Sequence, residues 1–150
     1  MTAYLALGSN EGNRRENIER ALAALDNLPA TIVDKVSGMV ESAAQGQWKE
    51  GESKGDFLNC CCRISTGLTP FRLLEEIKGI EAAMGRGGAG QWKEGTGTSG
   101  NRVYSDRPID IDILLYGRRR IDEPLLQIPH PRMLERDFVM IPLRELGIGF

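Results

Sequence analysis

Residues 3-AYLAL-7 form an apolar run of strand length that stops at 8-GSNEGN-13. Beyond it Ile18, Ala21, Leu22 and Leu25 recur at helical spacing. Asn13 suits the cap of that helix, Glu16 three residues on can close a capping box, and Leu28-Pro29 ends the run. From 31-TIVDKVSGMVES-42 the pattern turns β-like, and 56-DFLNCCCRIST-66 is a second strand reached through the polar, glycine-rich 43-AAQGQWKEGESKG-55. Thr69-Pro70 reads as a cap followed by proline at the first helical position. Phe71, Leu73, Leu74, Ile77, Ile80 and Met84 make the apolar stripe of the helix behind it, which Gly85 can stop. After a polar stretch from Arg86 to Asp106 comes the strand 109-IDILLY-114, then a proline-punctuated tail with a short helical piece near its end.

The predicted order is β-α-β-β-α-β, an α+β class of ferredoxin-like (split βαβ) plan with an antiparallel sheet and both helices on one face. Alternation turns Ile109, Ile111 and Ile113 toward the helices and leaves Asp110 and Asp112 on the open face, where the two long loops could cover them. The active site is therefore expected on that open face, under those loops. The hexapeptide GQWKEG occurs in both loops, at 46–51 and 90–95; its contexts differ, so it is no solenoid repeat.

At 150 residues, 41% hydrophobic and 27% charged, the chain reads as one domain, 1–150, with enough core to need no disulfide or metal staple. A formal charge of −2 gives no sign of nucleic-acid or membrane binding. Arg107, Arg118, Arg119, Arg120, Arg132, Arg136 and Arg144 nevertheless make the last third locally basic, which suits a small anionic ligand better than a polymer. The consecutive Cys60, Cys61 and Cys62 lack a fourth ligand for zinc and read as small buried hydrophobes. An odd count without a signal peptide implies a cytoplasmic protein, and a monomer is expected.

Two aspartates at i and i+2 on one strand face lie about 7 Å apart and repel unless water or a cation intervenes. Mg²⁺ favours such a setting, taking one or two carboxylates with substrate phosphates and retained water. A pair of ions can clamp a phosphoryl group in transfer. Solvated acids on a strand face are the plainer alternative. Arg107 fits a phosphate clamp or an ion pair equally. His130, the only histidine, is either structural or catalytic; Glu81 could pair with an arginine or reach the open face. Phe57 and Asn59 share a strand face, and Asn59 could read both donor and acceptor edges of a heterocycle. The glycines of 85-GRGGAG-90 follow a helix and enter a polar loop, so they are no dinucleotide fingerprint, and no P-loop motif is present.

Together, 3-AYLALGSNEGN-13, 57-FLN-59, 80-IEAAMGR-86, 107-RPIDIDILLYG-117 and 128-IPHPRMLERDFVMIPLREL-146 resemble the 6-hydroxymethyl-7,8-dihydropterin pyrophosphokinases of the folate pathway, in order along essentially the whole chain. The resemblance implies transfer of the β,γ-pyrophosphoryl group of ATP to the pterin hydroxymethyl group, with release of AMP. It implies two Mg²⁺ ions on Asp110 and Asp112, a pterin ring between Phe57 and Phe138, and Ser42, Gln45 and Asn59 at its polar edge. Glu81, Arg102, Arg107, Ile113, His130 and Arg136 would contact ATP, and Arg86 with Arg107 would act on the phosphates in transfer. The chain departs from the family pattern at 104-YSDR-107, at 42-SAAQG-46 and in a longer loop carrying Lys93. An RNA-recognition module of the same topology would want aromatic and basic residues where Asp110 and Asp112 stand. A nucleotidyltransferase would release pyrophosphate instead of AMP.

Overall fold

The computed structural model describes residues 1–42, 56–85 and 108–148. Its centre is an antiparallel sheet in the order β2 (Thr31–Val36), β4 (Phe57–Thr66), β1 (Thr2–Ser9), β5 (Asp110–Tyr116), with the short β3 (Val40–Ser42) also on β4. A separate hairpin, β6 (Ile121–Glu123) and β7 (Leu126–Ile128), precedes a single 3-10 turn at Met133–Glu135.

The helices begin where local chemistry satisfies their first amides. Asn13 accepts from the Glu16 N–H at 3.0 Å to open α1 (Arg14–Asp26). Thr69 Oγ1 accepts from Arg72 N–H at 3.2 Å to open α2 (Pro70–Ala83), whose first residue is the proline that has no amide to satisfy. Ile18, Ala21 and Leu25 of α1, with Leu73, Ile77 and Ile80 of α2, pack on one sheet face against Leu5, Leu7, Cys60, Cys62, Ile64, Ile111 and Ile113. Both helices lie on one face, as the periodicity predicts.

The opposite face is less open than predicted. The terminal helix α3 (Asp137–Glu145) lies across it and buries Val139, Met140 and Leu143 against Cys61 and Leu114, with Tyr4, Ala6 and Leu115 alongside. Leu114 and Leu115 both face α3 because the β1–β5 register shifts between Tyr4 and Leu5, which leaves Leu114 without a partner on β1. Simple alternation could not foresee that extra residue. The cysteines do alternate: Cys60 and Cys62 face α1 and α2, Cys61 faces α3, and all three are buried.

The β-like stretch 31–42 is two strands. Ser37 interrupts it, donating its N–H to the Cys61 carbonyl at 2.9 Å and accepting Cys61 N–H on Oγ at 2.9 Å. Gly38 N–H turns to Glu145 Oε1 at 2.8 Å, so the break is bonded to the end of α3. Among the described residues, no helix is long and apolar enough to cross a membrane. Replacing Thr69 with Ala should lower stability by about 1 kcal/mol through loss of the α2 cap. Urea unfolding reads this as a lower midpoint at unchanged slope, and an unmoved midpoint would mean the cap contributes nothing.

Candidate active site

The site is built on one cross-strand row. β1 pairs Gly8 with Asn59 of β4 on one side and with Asp110 of β5 on the other, and Asn59 in turn faces Val40 of β3. Two residues along, Ala6 lies between Cys61 and Asp112. Two small side chains of β1 thus separate an amide on one strand from two carboxylates on another. Above them is a cavity of about 160 Å³, lined by Ser42, Phe57, Asn59, Asp110, Asp112, Arg136 and Phe138 among others. The sheet gives it a floor, β3 and the start of β4 one wall, and the start of α3 the other.

On the β4 side, Asn59 Nδ2 donates to Val40 O at 3.1 Å and to Ser42 Oγ at 3.0 Å. Those bonds use both amide hydrogens, so the acceptor Oδ1 is what the side chain offers a ligand. A Cβ built on Gly8 would lie 3.0 Å from that oxygen and 3.5 Å from the Phe57 ring, so glycine keeps the slot deep. Phe138 comes from the first turn of α3, and the Arg136 guanidinium stands 5.8 Å from its ring centre. Two aromatic rings and one oriented acceptor can hold a flat heterocycle that presents an N–H edge. Cys60 also lines the cavity, but burial pushes its thiol up to about 12, so it is no nucleophile at neutral pH.

On the β5 side, the carboxyl of Asp112 is pushed up to about 6. Burial is the first cause, then the charges of Asp110 and Glu81; Arg136 and Lys78 pull the other way without prevailing. Among the described residues, the cations near Asp112 do not offset its burial and its acidic neighbours. Among the described residues no cluster of three or more His, Cys, Asp or Glu could enclose a metal ion. A carboxyl raised in this way, with a second carboxylate on the same strand face, suits a hard cation that draws its remaining ligands from water and phosphate.

Other predicted residues fall around the cavity. Glu81 is buried on α2, on the helix side of the sheet, and accepts the Ile111 N–H on Oε2 at 2.8 Å. The Ile113 side chain is in the core beneath α1 and α2, so a ligand on the cavity side could meet only its backbone. His130 donates its N–H to the Leu114 carbonyl at 3.0 Å, which holds it beside β5, and its Nδ1 accepts from Arg132 N–H at 3.2 Å. Burial first, then the charges of Arg136 and Arg132 against that of Asp110, hold its imidazole below the ordinary value; neutral, it presents Nε2–H. Gln45, Arg86, Lys93, Arg102, Arg107 and both GQWKEG copies lie outside the described residues. Gly8 was not singled out by sequence reasoning; its only sequence signal is that a glycine ends an apolar strand ahead of a polar turn.

Known proteins resemble the chain over nearly its whole length. Residues 4–147 match the family described as 7,8-dihydro-6-hydroxymethylpterin-pyrophosphokinase. The chain is 40% identical over 144 residues to the 2-amino-4-hydroxy-6-hydroxymethyldihydropteridine pyrophosphokinase of Bacillus subtilis, covering 96% of this chain and 77% of that one. The Aquifex aeolicus protein of the same name is 38% identical, covering 97% and 79%. That of Haemophilus influenzae is 36% identical, covering 98% and 82%.

The raised Asp112 carboxyl gives a signed expectation for the metal-free protein. Its unfolded value is near 3.8 and its folded value about 6, so the folded state binds more protons between them. Stability should fall as pH rises through that window and stay low above it. Asp112→Asn removes this dependence, so its stability advantage over the parent should grow from pH 4 to pH 6. Urea unfolding across that range in EDTA measures it, and parallel curves for the two proteins would refute the raised value.

Proposed function

This chain belongs to the 7,8-dihydro-6-hydroxymethylpterin-pyrophosphokinase family, and we propose that the cavity on β1, β4, β5 and α3 is where its reaction takes place. The protein transfers the pyrophosphoryl group of ATP to 6-hydroxymethyl-7,8-dihydropterin, a step of folate biosynthesis. One observation carries the assignment of the site: a slot for a flat heterocycle and a pair of carboxylates share one cavity, on strands β4 and β5 that flank β1. The first suits the pterin and the second the charged end of the nucleotide.

The pterin lies between Phe57 and Phe138, its N–H edge on Asn59 Oδ1, which Ser42 and Val40 orient. Its hydroxyl attacks the β-phosphorus of ATP, the α,β-bridging oxygen leaves with AMP, and the hydroxyl proton goes to solvent or to a phosphate oxygen. The chain supplies position and charge, which suffice for phosphoryl transfer without a covalent intermediate. Asp110 and Asp112 would hold two Mg²⁺ ions, which when bound would supply positive charge to the phosphates. Arg136 adds a fixed cation at the mouth, and His130 can donate from Nε2 to the nucleotide. Glu81, Ile113, Arg102 and Arg107 are further proposed ATP contacts, with Gln45 at the pterin and Arg86 and Arg107 on the phosphates. We read the chain as one ferredoxin-like domain over 1–150, monomeric and cytoplasmic.

AMP release from ATP should require both the pterin and Mg²⁺ and should stop in EDTA. Asp110→Ala and Asp112→Ala should abolish turnover with the circular-dichroism spectrum unchanged; turnover retained in either would sink the metal assignment. Gly8→Ala overfills the slot, at a cost of about 1–3 kcal/mol or roughly 10- to 100-fold in pterin affinity. Binding of a non-hydrolysable ATP analogue should stay within about threefold on the same scale. Titration of each ligand separately tests this, and an equal loss of both would mean that Gly8 serves the fold and not the slot.

A further inference from the structure

Among the described residues β5 ends the sheet, with β1 its paired neighbour on the inner side. The outer amides of an edge strand ordinarily face water, and such a strand can shift or fray. Ile111 has no such access: it is 4% exposed, and its outward N–H meets Glu81 Oε2 at 2.8 Å. Ile111 stands between Asp110 and Asp112, so this bond acts on the backbone that aims both carboxylates.

The placement of Glu81 is unfavourable in three respects. It is 4% exposed, it lies in the last turn of α2, where the helix dipole repels an anion, and its charge acts against Asp112. A charge-assisted bond to a backbone amide is about twice as strong as a neutral one. Resting on the reading of Asp110 and Asp112 as cation ligands, we propose that Glu81 is a positioning residue that clamps β5 through Ile111 N–H and so sets the two carboxylates for metal binding. Its carboxylate acts from beneath the sheet and need not touch nucleotide.

The test compares Glu81→Leu, which removes the acceptor, with Glu81→Gln, which keeps it. The readouts are exchange of the Ile111 amide by nuclear magnetic resonance and Mn²⁺ affinity by electron paramagnetic resonance, both without turnover. Loss of a partner one step removed from a metal typically lowers affinity about 10- to 100-fold. Glu81→Leu should show that loss and faster Ile111 exchange, while Glu81→Gln stays within a few-fold of the parent in both. Pterin binding in EDTA should be unchanged in either. Parent-like Mn²⁺ affinity in Glu81→Leu would overturn the proposal. So would equal losses in the two variants, which would make charge rather than the bond the cause. Loss of pterin binding or of the fold in Glu81→Leu would assign Glu81 to general stability and overturn it equally. Should the parent fail to bind Mn²⁺ through Asp110 and Asp112, the metal reading falls; the Ile111 exchange rates then decide whether Glu81 clamps the strand.

Discussion

The site depends on the register of β1 between β4 and β5. With Gly8 opposite both Asn59 and Asp110, and Ala6 opposite Asp112, the acceptor and both carboxylates emerge on the same side of the sheet. Side chains alternate with a period of two, so a slip of one residue would turn both carboxylates into the core under α1 and α2. The register is held by that core: Leu5 and Leu7 of β1, with Ile111 and Ile113 of β5, are at most 4% exposed. Hydrophobic packing on one face thereby fixes polar chemistry on the other.

That arrangement has an electrostatic cost which is part of its use. Asp112 is partly buried, with Asp110 on the same strand face and Glu81 on the far side of the sheet. Stability alone gives no reason to gather three carboxylates around one strand. On the proposed reading, a cation bound to the folded state alone would offset that cost by mass action. The metal-free protein would then be the less stable form, and affinity and instability would have one origin.

Much of the frame was legible because it follows from period and caps. Asn13 and Thr69 open the two helices where their side chains predict, and the isoleucines of β5 turn inward as alternation requires. Phe57, Asn59, Asp110 and Asp112 share a face for the same reason. What escaped the sequence was long-range. The register shift opposite Leu114, the break at Ser37 and the path of α3 over Cys61 all depend on partners distant in the chain. Phe138 reached the list through family resemblance, since no local signal shows that the first turn of α3 closes the cavity. Glu81 was ambiguous because a carboxylate that bonds a strand amide looks, in sequence, like one that pairs with an arginine.

The cavity walls show how a loop-flanked site can rest on rigid parts. Ser42 at the end of β3 and Phe57 at the start of β4 both line the cavity. Arg14 at the start of α1 joins the residues before them, with Nη1 on the Asp56 carbonyl at 2.8 Å and Nη2 on Glu41 at 2.6 Å. An exposed ion pair alone contributes at most about 1 kcal/mol. Here one planar guanidinium holds two chain segments at once, and Arg14 is itself oriented by the helix that Asn13 caps. The opposite wall is fixed by Glu145, which ties the end of α3 to Gly38 just before β3. Ser42 and Phe57 therefore keep their places relative to Phe138 through bonds that do not involve the intervening segment. The slot is thus framed by strands and helices, which hold side chains more precisely than loops do.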